Sequence, residues 1–222
     1  MILYFNSGSC SLASHIALEE TGLEYAAVRI DLSKDQHQTP AYLAKNPWGR
    51  VPALDVFGTI LTENVAILQY LADVVPERKL LPEPGTMSRA QATRWMALLS
   101  STVHVAFRPL FRPSRLASTT VGQQDVFNTG LRALNEVLST LEAELAGRAT
   151  ILESGFSLCD AYAFVFALWT QRPNVRELLV PTPNLHLIAK SVAARPAAQA
   201  AMQSEGVQFL ERLAHALNVE RA

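Results

Sequence analysis

The stretch Asn46-Pro47-Trp48-Gly49-Arg50-Val51-Pro52-Ala53-Leu54 constrains this chain more than any other. Pro47 and Gly49 break any helix. Pro52 opens the apolar run Ala53-Leu54-Asp55-Val56-Phe57, where a strand tolerates a residue with no N–H to give. Val51 is left just outside the ladder, so its N–H and C=O are free to pair with something other than this chain. An extended, peptide-like ligand adding itself as a strand would suit them. An ordinary loop entering a strand is the plainer alternative.

On the N-terminal side, Ile2 to Phe5 reads as a buried strand and Leu12 to Glu20 as a helix with Ala13, Ile16 and Ala17 on one face. Tyr25 to Leu32 reads as a second strand. On the other side, Ala53–Phe57 and Ile60–Leu61 join at Gly58 like a hairpin. Thr62 is placed to cap a helix carrying Ala66, Ile67, Tyr70 and Leu71. A βαβ unit followed by a ββα unit predicts a small α/β domain with a mixed sheet.

Pro76, Pro82, Pro84 and Gly85 then crowd a segment that can be neither helix nor central strand, and the domain boundary is expected there. The expected divisions are residues 1–77, a linker over 78–87, and a helical domain over 88–222. Trp95, Leu99, Val103 and Phe107 recur at four-residue spacing. Phe127 to Leu145 carries a wide apolar stripe. Ser157 and Asp160 form a capping box before a strongly apolar helix, the expected centre of this domain. Pro181 to Ala194 and Val207 to Leu217 supply the last helices.

Composition narrows the function. Among 222 residues, 49% are hydrophobic and 18% charged, which fits a folded globular protein and not a disordered one. A net charge of −1 provides no field to gather nucleic acid or an anionic membrane. The longest apolar run, Ala161 to Trp169, falls far short of the roughly 20 residues of a membrane span, and the start does not read as a signal peptide. A cytoplasmic protein with reduced thiols at Cys10 and Cys159 is expected.

The order strand, Cys10 loop, helix, Val51-Pro52-Ala53-Leu54, Thr62-Glu63-Asn64 resembles the glutathione-binding half of the glutathione transferases. The run Gly8 to Glu20 is similar to the bacterial beta class in particular, and the likeness extends over nearly the whole chain. It implies a thioredoxin-like α/β domain followed by an all-α domain forming an electrophile pocket, a homodimer, and glutathione as co-substrate without a metal.

The resemblance also implies site residues. Val51 would bond the cysteinyl backbone of glutathione, with Pro52 in cis. Glu63 and Asn64 would hold the γ-glutamyl end, Glu63 facing the ammonium while the helix start faces the carboxylate; plain helix capping is the alternative. Lys34 could meet the glycyl carboxylate, although Asp35 is adjacent. Ser11 and Ser101 complete the binding set. Cys10 would touch the glutathione sulfur, and a thiol in the first turn of a helix is expected to be shifted toward thiolate. His104 would approach the same sulfur.

The chain departs from the family pattern at Asn64, commonly serine or glycine, at Val105, where a basic residue often follows the histidine, and at Ala97, where an asparagine reaches the partner's glutathione. His15 reads as helix packing and Cys159 as structural. Arg108, Arg112 and Arg115, interleaved with Phe107, Pro109 and Phe111, could rim a pocket for an anionic electrophile or be solvated charges. Conjugation of glutathione to hydrophobic electrophiles is the leading function. The alternatives are a thiol-disulfide reductase or peroxidase using Cys10, and a non-catalytic ligand-binding protein of the same fold.

Overall fold

A computed structural model of the chain describes residues 1–209. The described elements are β1 (Ile2–Phe5), α1 (Ser11–Thr21), β2 (Ala26–Arg29), α2 (Pro40–Leu43), β3 (Ala53–Val56), β4 (Thr59–Thr62) and α3 (Asn64–Val74), followed by six further helices. These are α4 (Met87–Leu98), α5 (His104–Phe111), α6 (Thr120–Leu145), α7 (Leu158–Thr170), α8 (Pro183–Ala193) and α9 (Pro196–Glu205). The second strand is shorter than its pattern suggested, because Asp31 leaves it to cap a 3-10 turn over Leu32–Lys34. The residue at the N-cap of α3 is Glu63, not Thr62, which ends β4. Most of the helix expected over Val207 to Leu217 lies outside the described residues, and Val207, Gln208 and Phe209 are not helical.

The sheet order is β2-β1-β3-β4, with β1 and β2 parallel and β3 antiparallel to both β1 and β4. Parallel pairing of β1 and β2 requires a crossover, which α1 provides. Alternation along β1 sends Leu3 and Phe5 into the main core, while Tyr4 joins Ile30, Tyr42, Val51 and Ala53 on the opposite face. The hairpin between β3 and β4 turns at Phe57 and Gly58, both at positive φ, the conformation of the turns that match strand twist.

The helical half is built on α7, every residue of which is buried. Its capping box forms: the Asp160 carboxylate accepts from the Ser157 N–H at 2.8 Å and from the Ile151 N–H at 2.7 Å. Helices α4 and α5 run on through a π-helical stretch over Leu99–Val103. A uniform spacing of four residues drifts by about 40° per step on a helix of 3.6 residues per turn. The wider π stretch takes up that drift, so Trp95, Leu99, Val103 and Phe107 are all buried. Helix α5 crosses α6 so closely that a Cβ on Gly130 would lie 2.3 Å from the Cβ of Pro109. One continuous apolar core joins the two halves.

Candidate active site

A cavity of about 790 Å³ lies between the sheet's loops and helices α5 and α7. The loop ahead of β3 forms one wall and is held rigid from behind. Asn46, 2% exposed, donates its Nδ2 to the Arg50 carbonyl at 2.8 Å, and the Tyr42 hydroxyl donates to the same oxygen at 2.7 Å. Gly49 sits at φ 56, where a Cβ would come within 2.9 Å of the His37 carbonyl. The Val51–Pro52 peptide is cis, as expected. The Val51 N–H has no partner among the described residues, while its carbonyl accepts the Cys10 thiol at 3.4 Å. Half of the expected free edge is therefore open and half is lightly occupied.

Cys10 is the N-cap of α1 and lines the cavity. The helix start was expected to favour its thiolate, and the packing around the sulfur opposes that. Burial pushes the thiol up to about 12, outweighing its own backbone hydrogen bond, with Glu63 adding to the rise and Arg108 opposing it. A dipole acts on any group in a first turn, but desolvation depends on what the rest of the chain packs over the sulfur.

His104 reaches the same cavity from the first turn of α5, its ring edge-on to Trp169 at 5.0 Å. Burial, then Arg108 and Arg50, push it down to about 4, so it is a neutral imidazole at pH 7. The positive charge whose loss Val105 suggested is supplied one turn later by Arg108. Among the described residues, no group of His, Cys, Asp or Glu could hold a metal ion.

Glu63 and Asn64 stand at the start of α3 with different jobs. Glu63 is an exposed, non-glycine residue at φ 68 whose carboxylate caps nothing and lines the cavity. Strained backbone of this kind persists where its surroundings hold it and is common at ligand sites. Asn64 turns its amide inward: Oδ1 accepts from the Ser14 hydroxyl at 2.6 Å and Nδ2 donates to the Cys10 carbonyl at 2.6 Å. What Asn64 leaves for a ligand is the first-turn backbone.

Three expected binding residues are not on the cavity wall. Ser11 is fully buried, its hydroxyl held by Asn6 and Ser9 inside the turn. Ser101 is exposed and donates to the Ala97 carbonyl at 2.8 Å, because the π stretch brings Ser100 to the wall in its place. Lys34 points outward, its side chain 75% exposed and 3.9 Å from Asp31. His37, which no motif marks, also lines the cavity, its Nδ1 buried and without a partner among the described residues.

Glu205 was also missed. Its Oε1 pairs with His15 Nδ1 at 2.9 Å, its Oε2 accepts from the Gly8 N–H at 2.9 Å, and its carbonyl accepts the Ser7 hydroxyl. Trp169 Nε1 and Arg172 Nη2 donate to the Gly8 carbonyl at 3.0 and 3.1 Å. The loop that presents Cys10 is thus clamped by residues from the far end of the chain, with no local signal that could have revealed it.

Residues 1–73 match the family model for the glutathione S-transferase N-terminal domain, and residues 98–196 that for the C-terminal domain. The glutathione S-transferase GstA of Escherichia coli O157:H7 is 36% identical over 211 residues, spanning 94% of this chain and 100% of that protein. The chain belongs to the glutathione S-transferase family. Among solved structures of the family, a beta-class glutathione S-transferase from Sphingomonas chungbukensis superposes with a TM-score of 0.81 at 36% identity, covering 94% of this chain and 100% of that one. A sphingomonad glutathione S-transferase in complex with glutathione gives a TM-score of 0.80, with the same identity and coverage. The thioredoxin-like half followed by a helical half is the architecture of this family, as the motif order implied.

Proposed function

We propose that this protein binds glutathione along Val51 and transfers it to a small electrophile lodged against α5 and α7. The observation that carries this reading is one cavity holding the unpartnered Val51 N–H, the Cys10 thiol and the uncapped Glu63 carboxylate. Glutathione offers complements to each: a cysteinyl backbone, a sulfur, and an ammonium beside a carboxylate. Glu63 would face the ammonium, and the first-turn N–H groups of α3 the carboxylate.

The sulfur would then lie near Cys10, His104 and Arg108. A protonated Cys10 donates a hydrogen bond and Arg108 contributes charge, so the glutathione thiolate is stabilised without a strong base. The thiolate forms a bond to the electrophilic carbon, the leaving group departs with its electron pair, and the thiol proton passes to water. Proximity in a walled site supplies much of the acceleration. The upward push on the half-buried Cys10 thiol favours a hydrogen-bonding role over a redox one.

Calorimetric titration with reduced glutathione is the first test, and absence of binding would reject the reading. The pKa of bound glutathione, followed by thiolate absorbance, is the second. Cys10→Ala should raise it by about one to two units, the worth of one hydrogen bond to a charged group. Unchanged pKa and unchanged conjugation would remove Cys10 from the mechanism. A cytoplasmic homodimer belongs to the same reading: both cysteines are free, and no described helix is long and apolar enough to cross a membrane. A single-chain mass by light scattering would reject the dimer.

A further inference from the structure

The cavity wall carries six arginines, Arg29, Arg50, Arg108, Arg112, Arg115 and Arg172, against two carboxylates, Asp31 and Glu63. Four of the six, Arg108, Arg112, Arg115 and Arg172, belong to the helical half, which contributes no acid to the wall. None of these four has a carboxylate partner among the described residues. Arg172 is partly buried, its guanidinium 4.4 Å above the Phe111 ring and 5.4 Å from that of Trp169, with one N–H given to the Gly8 carbonyl. The C-terminal ends of α5 and α7 converge here, and their carbonyls help hold cations in place without an acid. The surrounding groups respond to the excess. His37 is lowered by burial, then by Arg115 and Arg112 against the opposing Asp35, and His104 by burial, then by Arg108 and Arg50.

Bound glutathione does not use up this charge. Its two carboxylates, one ammonium and thiolate cancel two of the four surplus positive charges. The surplus remains on the helical-half wall, where the Arg172 guanidinium lies over Phe111 and the rings of Phe111 and Trp169 meet edge to face.

We propose that the electrophile is an aromatic carboxylate, its ring packed against the aromatic wall that Phe111 and Trp169 contribute to the cavity and its carboxylate held by the guanidinium groups of the helical half. This rests on the reading of the protein as a glutathione transferase and names its substrate class. In such a substrate the glutathione sulfur bonds to an activated ring carbon, chloride leaves with the bonding pair, and the carboxylate takes no part in bond making.

The test compares 4-chloro-3-nitrobenzoate with its methyl ester, which undergo the same displacement and differ in charge. The acid should show the higher kcat/KM by on the order of tenfold to a hundredfold, the range for hydrogen bonds to a charged group, despite its less activated ring. The double variant Arg112→Gln, Arg115→Gln should shrink the acid-to-ester ratio at least severalfold. Calorimetry of the glutathione-loaded protein with 3-nitrobenzoate supplies an arm free of turnover, and the same variant should weaken that binding. Equal use of acid and ester, or a ratio unmoved by the double substitution, overturns the proposal while leaving conjugation standing. Glutathione binding with turnover of neither compound overturns this inference; the transferase reading falls with it only if 1-chloro-2,4-dinitrobenzene is not conjugated either.

Discussion

The protonation of Cys10 can be tested before any substrate is known. Burial raises the thiol from 9.0 to about 12, a difference worth about 4 kcal/mol against the thiolate. At pH 8 an ordinary thiol of pKa 9 is roughly one-tenth ionised, whereas one of pKa 12 is ionised to about one part in ten thousand. Alkylation by iodoacetamide requires thiolate, so Cys10 in the glutathione-free protein should react roughly a thousandfold more slowly than a small thiol at that pH. Its rate should still be climbing above pH 10. The assay is intact-protein mass against time in a Cys159→Ala background, since Cys159 is the other free thiol and is buried. A profile that levels off below pH 8 would refute the argument: the helix start, not burial, would then control the sulfur, and the redox role of Cys10 would regain its basis.

Four further outcomes follow from the geometry. Glu63→Gln should weaken glutathione binding by about tenfold to a hundredfold through loss of the charged partner for its ammonium; unchanged affinity by calorimetry would move the γ-glutamyl end elsewhere. Gly130→Ala must push α5 off α6, at about 1–3 kcal/mol and a fall in Tm of roughly 2–12 °C, read by circular dichroism. Glu205→Ala leaves His15 and the Gly8 N–H without their partner, at about 1–3 kcal/mol for each buried group unmet, and should raise the KM for glutathione as the Cys10 loop loosens. His104, lowered from 6.5 to about 4, binds its proton in the unfolded chain first, so acidification from pH 6.5 to 4 favours unfolding. Replacing it in His104→Phe should shift relative Tm in the variant's favour across that window, and a constant difference would contradict the burial of the imidazole.

Features encoded locally were legible in the sequence. Pro52 ahead of an apolar run placed β3 and left Val51 beside it, and Ser157 with Asp160 announced α7. The uniform spacing from Trp95 to Phe107 marked a buried helix face, but not the π stretch that keeps it buried. That stretch sets which of two adjacent serines meets the cavity, which is why Ser101 was expected where Ser100 stands. Ser11 misled for a related reason, since a hydroxyl beside the Cys10 loop can face the ligand or brace the turn, and it braces the turn. Pro196–Glu205 escaped notice because its alanines and glutamines carry a weak apolar pattern, yet it brings Glu205 to the loop. The Cys10 proton and the surplus of arginines are collective properties, fixed only when distant segments close around them.

Gly8 is gripped at its N–H by Glu205 and at its carbonyl by Trp169 and Arg172. Arg172 consequently serves two masters: one N–H steadies the turn that presents Cys10, while the rest of the guanidinium faces the space for the second reactant. A mutation there meant to retune substrate preference would also disturb co-substrate capture. Divergence toward new chemistry is therefore freer at Arg112 and Arg115, whose side chains hold no such loop among the described residues.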